Sequence, residues 1–513
     1  MSTSQRKPFE IMSKDAILEC HTRFLMPFEF AAGNLAEITK AFESSKLGSQ
    51  GVVWERAALP SSYREEMLAP LLRMIDSDVS KNGSGAYLRF TDSALNWLYH
   101  DSVAILSKSC SLPLKPVWSA GIELFLFDGG IGILSVALQV DDDSLDVANT
   151  LDFNYRLAQS GRKATAQIRM KHPSDSPESW AMVPEADRAK IGQAPPLDAP
   201  LNDRLGVRGG SFGLTELCRA LVAPVEAYSF QLVQPQLSIY TVVRCSAAID
   251  LADHETRNLV GPFLAGLAQV EESNHSSAPC DDLGVPTVIL NRRHWSAAGL
   301  FGAAHVVADQ PSLEGGEPHP YNQQRVPRVR DKYFLPYLSA LAQRLVLQRA
   351  VDEASKISLH RDSANDGRFS DVRGRLMEFA VDGRFSHVTN RYATHRFYRL
   401  AREGLAVTDS WVEVERAIAE LDARDSARQQ AELNRDVHQN LALVAHTQKM
   451  IEWIEIFLVS VYGAHLWFMV GEAFHLHGWP LAGGTIFFAV AGALITSLIL
   501  KPWRHRVLGQ KGH

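Results

Sequence analysis

The chain has 513 residues, 46% hydrophobic and 21% charged, and its net charge is −6. That mildly acidic balance excludes a nucleic-acid protein held by a basic surface, and the length allows two or three domains with separate cores. The cysteines, Cys20, Cys110, Cys218, Cys245 and Cys280, show no CxxC or metal-finger spacing and read as free thiols of a reducing compartment.

The first twenty residues lack a long apolar core and carry Glu10 and Asp15, so no secretory signal is expected and the N-terminal body stays where it is made. Residues 1–330 read as a mixed α/β domain. Helices are expected over 31–44 and 62–76. Residues 121–140 alternate around Asp128-Gly129-Gly130, a hairpin pattern, and the β-branched runs 237–245 and 286–290 read as strands. Stretches 171–213, 272–284 and 309–330 are polar or rich in Gly and Pro and read as loops, the third marking a domain boundary.

From 331 to 450 the pattern turns helical and predicts a stalk, with segments over 335–355 and 368–402. Between Gly404 and Gly463 lie 58 residues without Gly or Pro, which as one helix would extend about 90 Å. Trp411, Val414, Ile418 and Leu421 form a packed stripe, 422–436 is strongly polar, and Leu433, Val437, Leu441 and Val444 restore an apolar face. Two apolar segments follow, 451–470 and 481–500, joined by the connector 471–480. Each has about the 20 residues a membrane-crossing helix needs, and the second carries no charged side chain. Lys449 precedes the pair and Lys501, Arg504 and Arg506 follow it, while the connector holds Glu472 and no base. Both termini are therefore expected in the cytoplasm, with residues 501–513 as a basic tail.

The first apolar segment ends Tyr462-Gly463-Ala464-His465, with Met469, Val470, Gly471 and Glu472 just beyond and Lys501-Pro502-Trp503-Arg504 closing the second. This junction resembles that of the CorA-like two-helix divalent cation transporters, whose first helix ends Tyr-Gly-Met-Asn before a Met-Pro-Glu loop. Tyr462 and Gly463 match, Ala464 replaces Met, His465 replaces Asn, and Glu472 is displaced by one residue. The resemblance implies a CorA-like fold: an α/β cytosolic domain, a long helical stalk and a C-terminal two-helix hairpin. It further implies a homopentamer in the bilayer, passing a divalent cation passively through a pore gated by the cytosolic domain.

In that frame Tyr462, Gly463, Ala464, His465 and Glu472 form the selectivity site and outer mouth, and Glu472 concentrates cations by its field. Mg2+ is selected with its water shell intact. A ring of His465, with His475 and His477 in the same loop, instead suits Zn2+, Co2+ or Ni2+. Stepping back from Gly463 by threes and fours gives Ser460, Ile456, Trp453 and Lys449 as pore-lining candidates, although Lys449 and Trp453 would oppose a cation path. Glu452 is placed to pair with Lys449, and Glu455 lines the pore instead if the helix is turned.

Other motifs read as structural. Gly209–Gly213 fits G-x-S-x-G without the strand that a nucleophile elbow needs, and Asp141-Asp142-Asp143 reads as a solvated turn. His387, His395, His438 and His446 read as surface or packed residues. With no catalytic constellation and no nucleotide-binding loop, neither an enzyme nor an organic cofactor is expected. The alternative to transport is a non-conducting, membrane-anchored sensor or effector with a cytosolic ligand or protein partner. A plasma membrane, most simply a bacterial inner membrane, is the expected location in either case.

Overall fold

The computed structural model describes residues 16–508, apart from short stretches and the longer segments 46–51, 76–84, 95–101, 160–165, 171–210, 274–282 and most of 360–386. The chain divides into two compact units, Met1–Ile418 and Ala419–His513.

The first unit is a mixed sheet between two helical layers. Its eleven strands are β1 (Ile17–Glu29), β2 (Trp54–Arg56), β3 (Gly85–Phe90), β4 (Lys115–Pro116), β5 (Ile122–Phe127), β6 (Ile131–Val140), β7 (Gln231–Leu232), β8 (Ser238–Cys245), β9 (Thr287–Asn291), β10 (His294–Ala298) and β11 (Gly302–Ala308). The order is β9-β10-β11-β8-β1-β6-β5-β3-β2, with β7 on β1 and β4 on β6. Among the described residues, only β8 and β11 pair in parallel. The expected hairpin is β5–β6, with Gly130 at φ 77°, a left-handed conformation that suits glycine at the turn. A separate four-stranded sheet joins Ser102–Ser107, Ser111–Leu112, Ala166–Met170 and Ser211–Phe212.

β1 lies at the centre of the main sheet and is buried on both faces, so it lacks the alternation of a half-exposed strand. Phe24, Met26 and Phe28 enter one core beside α1 (Leu35–Glu43), α4 (Val147–Ala158), α5 (Leu214–Leu221) and α6 (His254–Gln269), while α2 (Ser61–Arg64) and α3 (Ala69–Ile75) lie on the other face. Asp146 and Asp253 cap those two helices by accepting from the backbone N–H of Asn149 and Thr256. Leu25, Phe125, Ile133, Tyr240 and Val242 enter the other core. That core is closed by α7 (Pro320–Lys332), α8 (Phe334–Leu359) and α9 (Tyr392–Gly404).

This second core corrects three expectations. Residues 320–330 are helix rather than loop, because Pro320 sits in the first turn, where its missing N–H goes unused. The boundary near 330 is not a division, since Leu338, Leu341, Leu345 and Phe397 are fully buried against the sheet. Helices expected in the stalk therefore belong to the α/β body. Of the helix expected over 368–402, α9 forms from Tyr392, whereas residues 387–391 are not helical, Thr389 bridging to Met67, and most of 368–386 lies outside the described residues.

The second unit is built on α10 (Val407–Ala473), 67 residues long, and α11 (Trp479–Leu508). Both are long and apolar enough to cross a membrane. α10 continues past 470, so Glu472 lies in its last turn and the connector is shorter than expected.

Candidate functional site

The apolar ends of α10 and α11 pack antiparallel through small residues. A side chain at Gly484 would collide with the Trp467 indole, and one at Gly471 with Leu481. Gly463 faces the Phe488 carbonyl, and Gly492 lies against Val459 and Ser460. Trp467 stacks on Phe488 with ring centres 4.8 Å apart, and its Nε1–H donates to the Leu481 carbonyl at 3.3 Å. Small residues at such a contact let two helices approach closely where no hydrophobic effect drives them together.

This contact sorts the sequence candidates. Ile456, Ser460, Gly463 and Ala464 are half-buried, and Gly463 and Ser460 lie on the face that meets α11. The stripe stepped back from Gly463 is thus occupied by α11 in its upper half. Lys449 and Trp453 continue that side of the helix and are exposed. Tyr462, His465, Glu472 and Glu455 are exposed and point away from the contact. His475 and His477 lie outside the described residues. Among the described residues, no group of three or more His, Cys, Asp or Glu gathers in one chain to hold a metal.

The exposed face has a regular repeat. Val437, Leu441, Val444, Gln448, Ile451, Glu455, Leu458, Tyr462, His465, Met469 and Glu472 follow one another at intervals of four and three, and all are exposed. Apolar residues at that mean spacing of 3.5 are the signature of helices that wind around each other; here Gln448, Glu455, His465 and Glu472 interrupt them, and from 426 to 451 every residue is exposed. The apolar stripe expected from the sequence at Val437, Leu441 and Val444 is the start of this line, while the pore-lining candidates phased from Gly463 lie off it.

The first unit holds two buried polar centres that sequence reading missed. In one, Arg23 on β1 pairs with Glu123 on β5, and its Nη2 donates to the Tyr63 hydroxyl at 2.6 Å. The Tyr87 hydroxyl donates to Glu123 at 2.8 Å, Asp331 on α7 lies 3.7 Å from Arg23, and the guanidinium sits 4.2 Å over the Phe334 ring. Arg23 and Glu123 are each 2% exposed. Burial works against the Arg23 charge, but Tyr63, Glu123 and Asp331 outweigh it and push its pKa up.

The other centre joins His294 and Ser296 on β10 to His305 on β11. His294 Nε2 lies 3.1 Å from His305 Nδ1, and Ser296 Oγ lies 2.8 Å from the same Nδ1. The rings of Tyr333 and Phe397 enclose them. Burial lowers the His305 pKa to about 3; burial, then His305 and Arg325, lower that of His294 well below its usual value. Both imidazoles are neutral at pH 7. These centres tie strands to helices; the residues of the first run from Arg23 to Asp331, too widely scattered to form a motif, while His294, Ser296 and His305 lie close in sequence but meet only through the pairing of β10 with β11.

Cys20, Cys218 and Cys245 are free and buried, and burial raises their thiols to about 12, which leaves them unreactive. Gly209, Gly210, Asp141, Asp142 and Asp143 lie outside the described residues. His387 stacks on His395, while His438 and His446 are exposed on α10. Searches against protein-family models, curated proteins and solved structures match nothing to this chain.

Proposed function

We propose that this protein is a CorA-like, homo-oligomeric conduit for divalent cations, a pentamer by resemblance, with both termini in the cytoplasm of a bacterial inner membrane. The observation that carries the reading is the face of α10 left free by α11. It holds a line of residues at 3.5-residue spacing, apolar but for Gln448, Glu455, His465 and Glu472, that ends in Tyr462, His465 and Glu472, the residues at the resembling junction. The repeat gives copies of α10 a reason to meet. α11 then packs behind them, and His465 and Glu472 repeat around one axis at the outer mouth. Lys449 and Trp453 fall away from that face, which removes the objection they raise to a cation path. A histidine ring there favours Zn2+, Co2+ or Ni2+ beside Mg2+.

Cation uptake into liposomes containing the purified protein tests the reading. His465→Ala should shift selectivity away from Zn2+ and Ni2+, and Glu472→Ala should lower uptake most at low ionic strength. Flux indifferent to both changes would remove the site. A chain that moves no divalent cation would instead be a non-conducting sensor or effector, the reading that the substitutions at Ala464 and His465 favour.

A further inference from the structure

We infer that the first unit binds one small monovalent anion, of halide size, in a recess between the main sheet and α7. This site stands apart from the conduit and lies within a single chain. The recess sits over β1, between Ala137 of β6 and Val242 of β8, with Arg330 of α7 beside it. It has room for little more than a water-sized group. Two of the side chains that line it carry a buried nitrogen without a partner among the described residues, Arg23 at Nε and His21 at Nδ1. Arg23 is 2% and His21 6% exposed, so bulk solvent does not serve these atoms. A buried N–H left without an acceptor is costly, and native proteins rarely keep one.

The surroundings decide what fits. Arg23 Nε–H can only donate, because a guanidinium has no acceptor. The other ends of both side chains are committed. The two Nη atoms of Arg23 meet Glu123 and Tyr63, and His21 Nε2 lies 2.7 Å from Glu19. No Asp or Glu lines the recess. The acids close by are engaged outside it: Glu123 with Arg23, Glu19 with His21 and Gln139, and Asp331 with Nε and Nη2 of Arg330. They balance the neighbouring bases and leave an acid-free space bordered by His21, Arg23 and Arg330. Ala137, Leu138 and Val242 make the remaining walls apolar. A phosphate is too large for this space, and a divalent anion would give up more hydration than these groups return. A halide needs only N–H donors and tolerates apolar walls. Seated there, it joins β1 to α7 beside the Tyr240 hydroxyl, which donates to the Val329 carbonyl at 2.7 Å.

Thermal unfolding of the full-length, detergent-solubilised protein in sodium chloride, bromide and gluconate at equal ionic strength tests the site. Chloride and bromide should raise the unfolding temperature by about 2 °C over gluconate, as expected for a ligand at about tenfold its Kd. Ala137→Val, which fills the recess without altering a charge, should abolish that difference. Equal temperatures in the three salts for the unchanged protein would overturn the anion and leave a water as the occupant. A halide effect that Ala137→Val retains would put the ion elsewhere and overturn the site as well. Bromide anomalous diffraction from crystals of the unchanged protein decides without any variant. A peak beside Arg23 Nε is expected, and crystals grown in bromide that lack one would overturn the site.

Discussion

Arg23 and Glu123 are a buried pair whose net contribution is small but whose halves are costly alone. Glu123→Leu, which leaves the guanidinium without its partner, should destabilise the first unit by about 3–5 kcal/mol. The double variant Arg23→Met with Glu123→Leu should recover most of that loss in denaturant unfolding. A double variant as unstable as the worse single one would mean that the pair adds net stability. The two imidazoles make a prediction of opposite character. Their folded pKa values lie below the unfolded value of about 6.5, so the unfolded chain takes up protons that the folded one refuses. Their contribution is complete above pH 6.5 and declines as pH falls toward about 3 for His305, by roughly 1.4 kcal/mol per pH unit for each group. Replacing both His294 and His305 with Phe should flatten this part of the pH dependence between pH 6.5 and 4. An unchanged slope would show that other groups carry it.

Among the elements, legibility followed periodicity. The β5–β6 hairpin and the strand β8 were readable because a turn signature or a β-branched run announces them. β1 was not, because a central strand buried on both faces has no alternation to detect. α7 was hidden by its prolines, and α8 was assigned to a stalk because an amphipathic pattern shows that a face is buried but not what buries it. The hairpin of α10 and α11 was legible in length and position, but its rotation was not, since Gly463 belongs to the α11 contact and not to the repeat. That contact is testable alone. Gly484→Leu should drive a side chain into the Trp467 indole, lower the unfolding temperature of the detergent-solubilised protein and change Trp467 emission. Gly483→Leu, at a neighbouring position with open space, should change neither. Equal effects at both would show that the two helices do not pack as described.

For the whole molecule, the α/β body, the long helix and the two apolar helices are architecture, while the proposed conduit rests on one face of α10. The residue types at the candidate mouth were legible in the sequence. Their division between a face that meets α11 and a face that stays free required coordinates. Cysteine scanning of α10 from Val437 to Glu472, with disulfide cross-linking in native membranes, tests this most directly. Strong cross-linking between copies is expected at Leu441, Val444, Ile451, Leu458 and Tyr462, with troughs at Lys449, Trp453 and Ser460. Maxima at Lys449, Trp453 and Ser460, or no cross-linking between copies at any position, would contradict it.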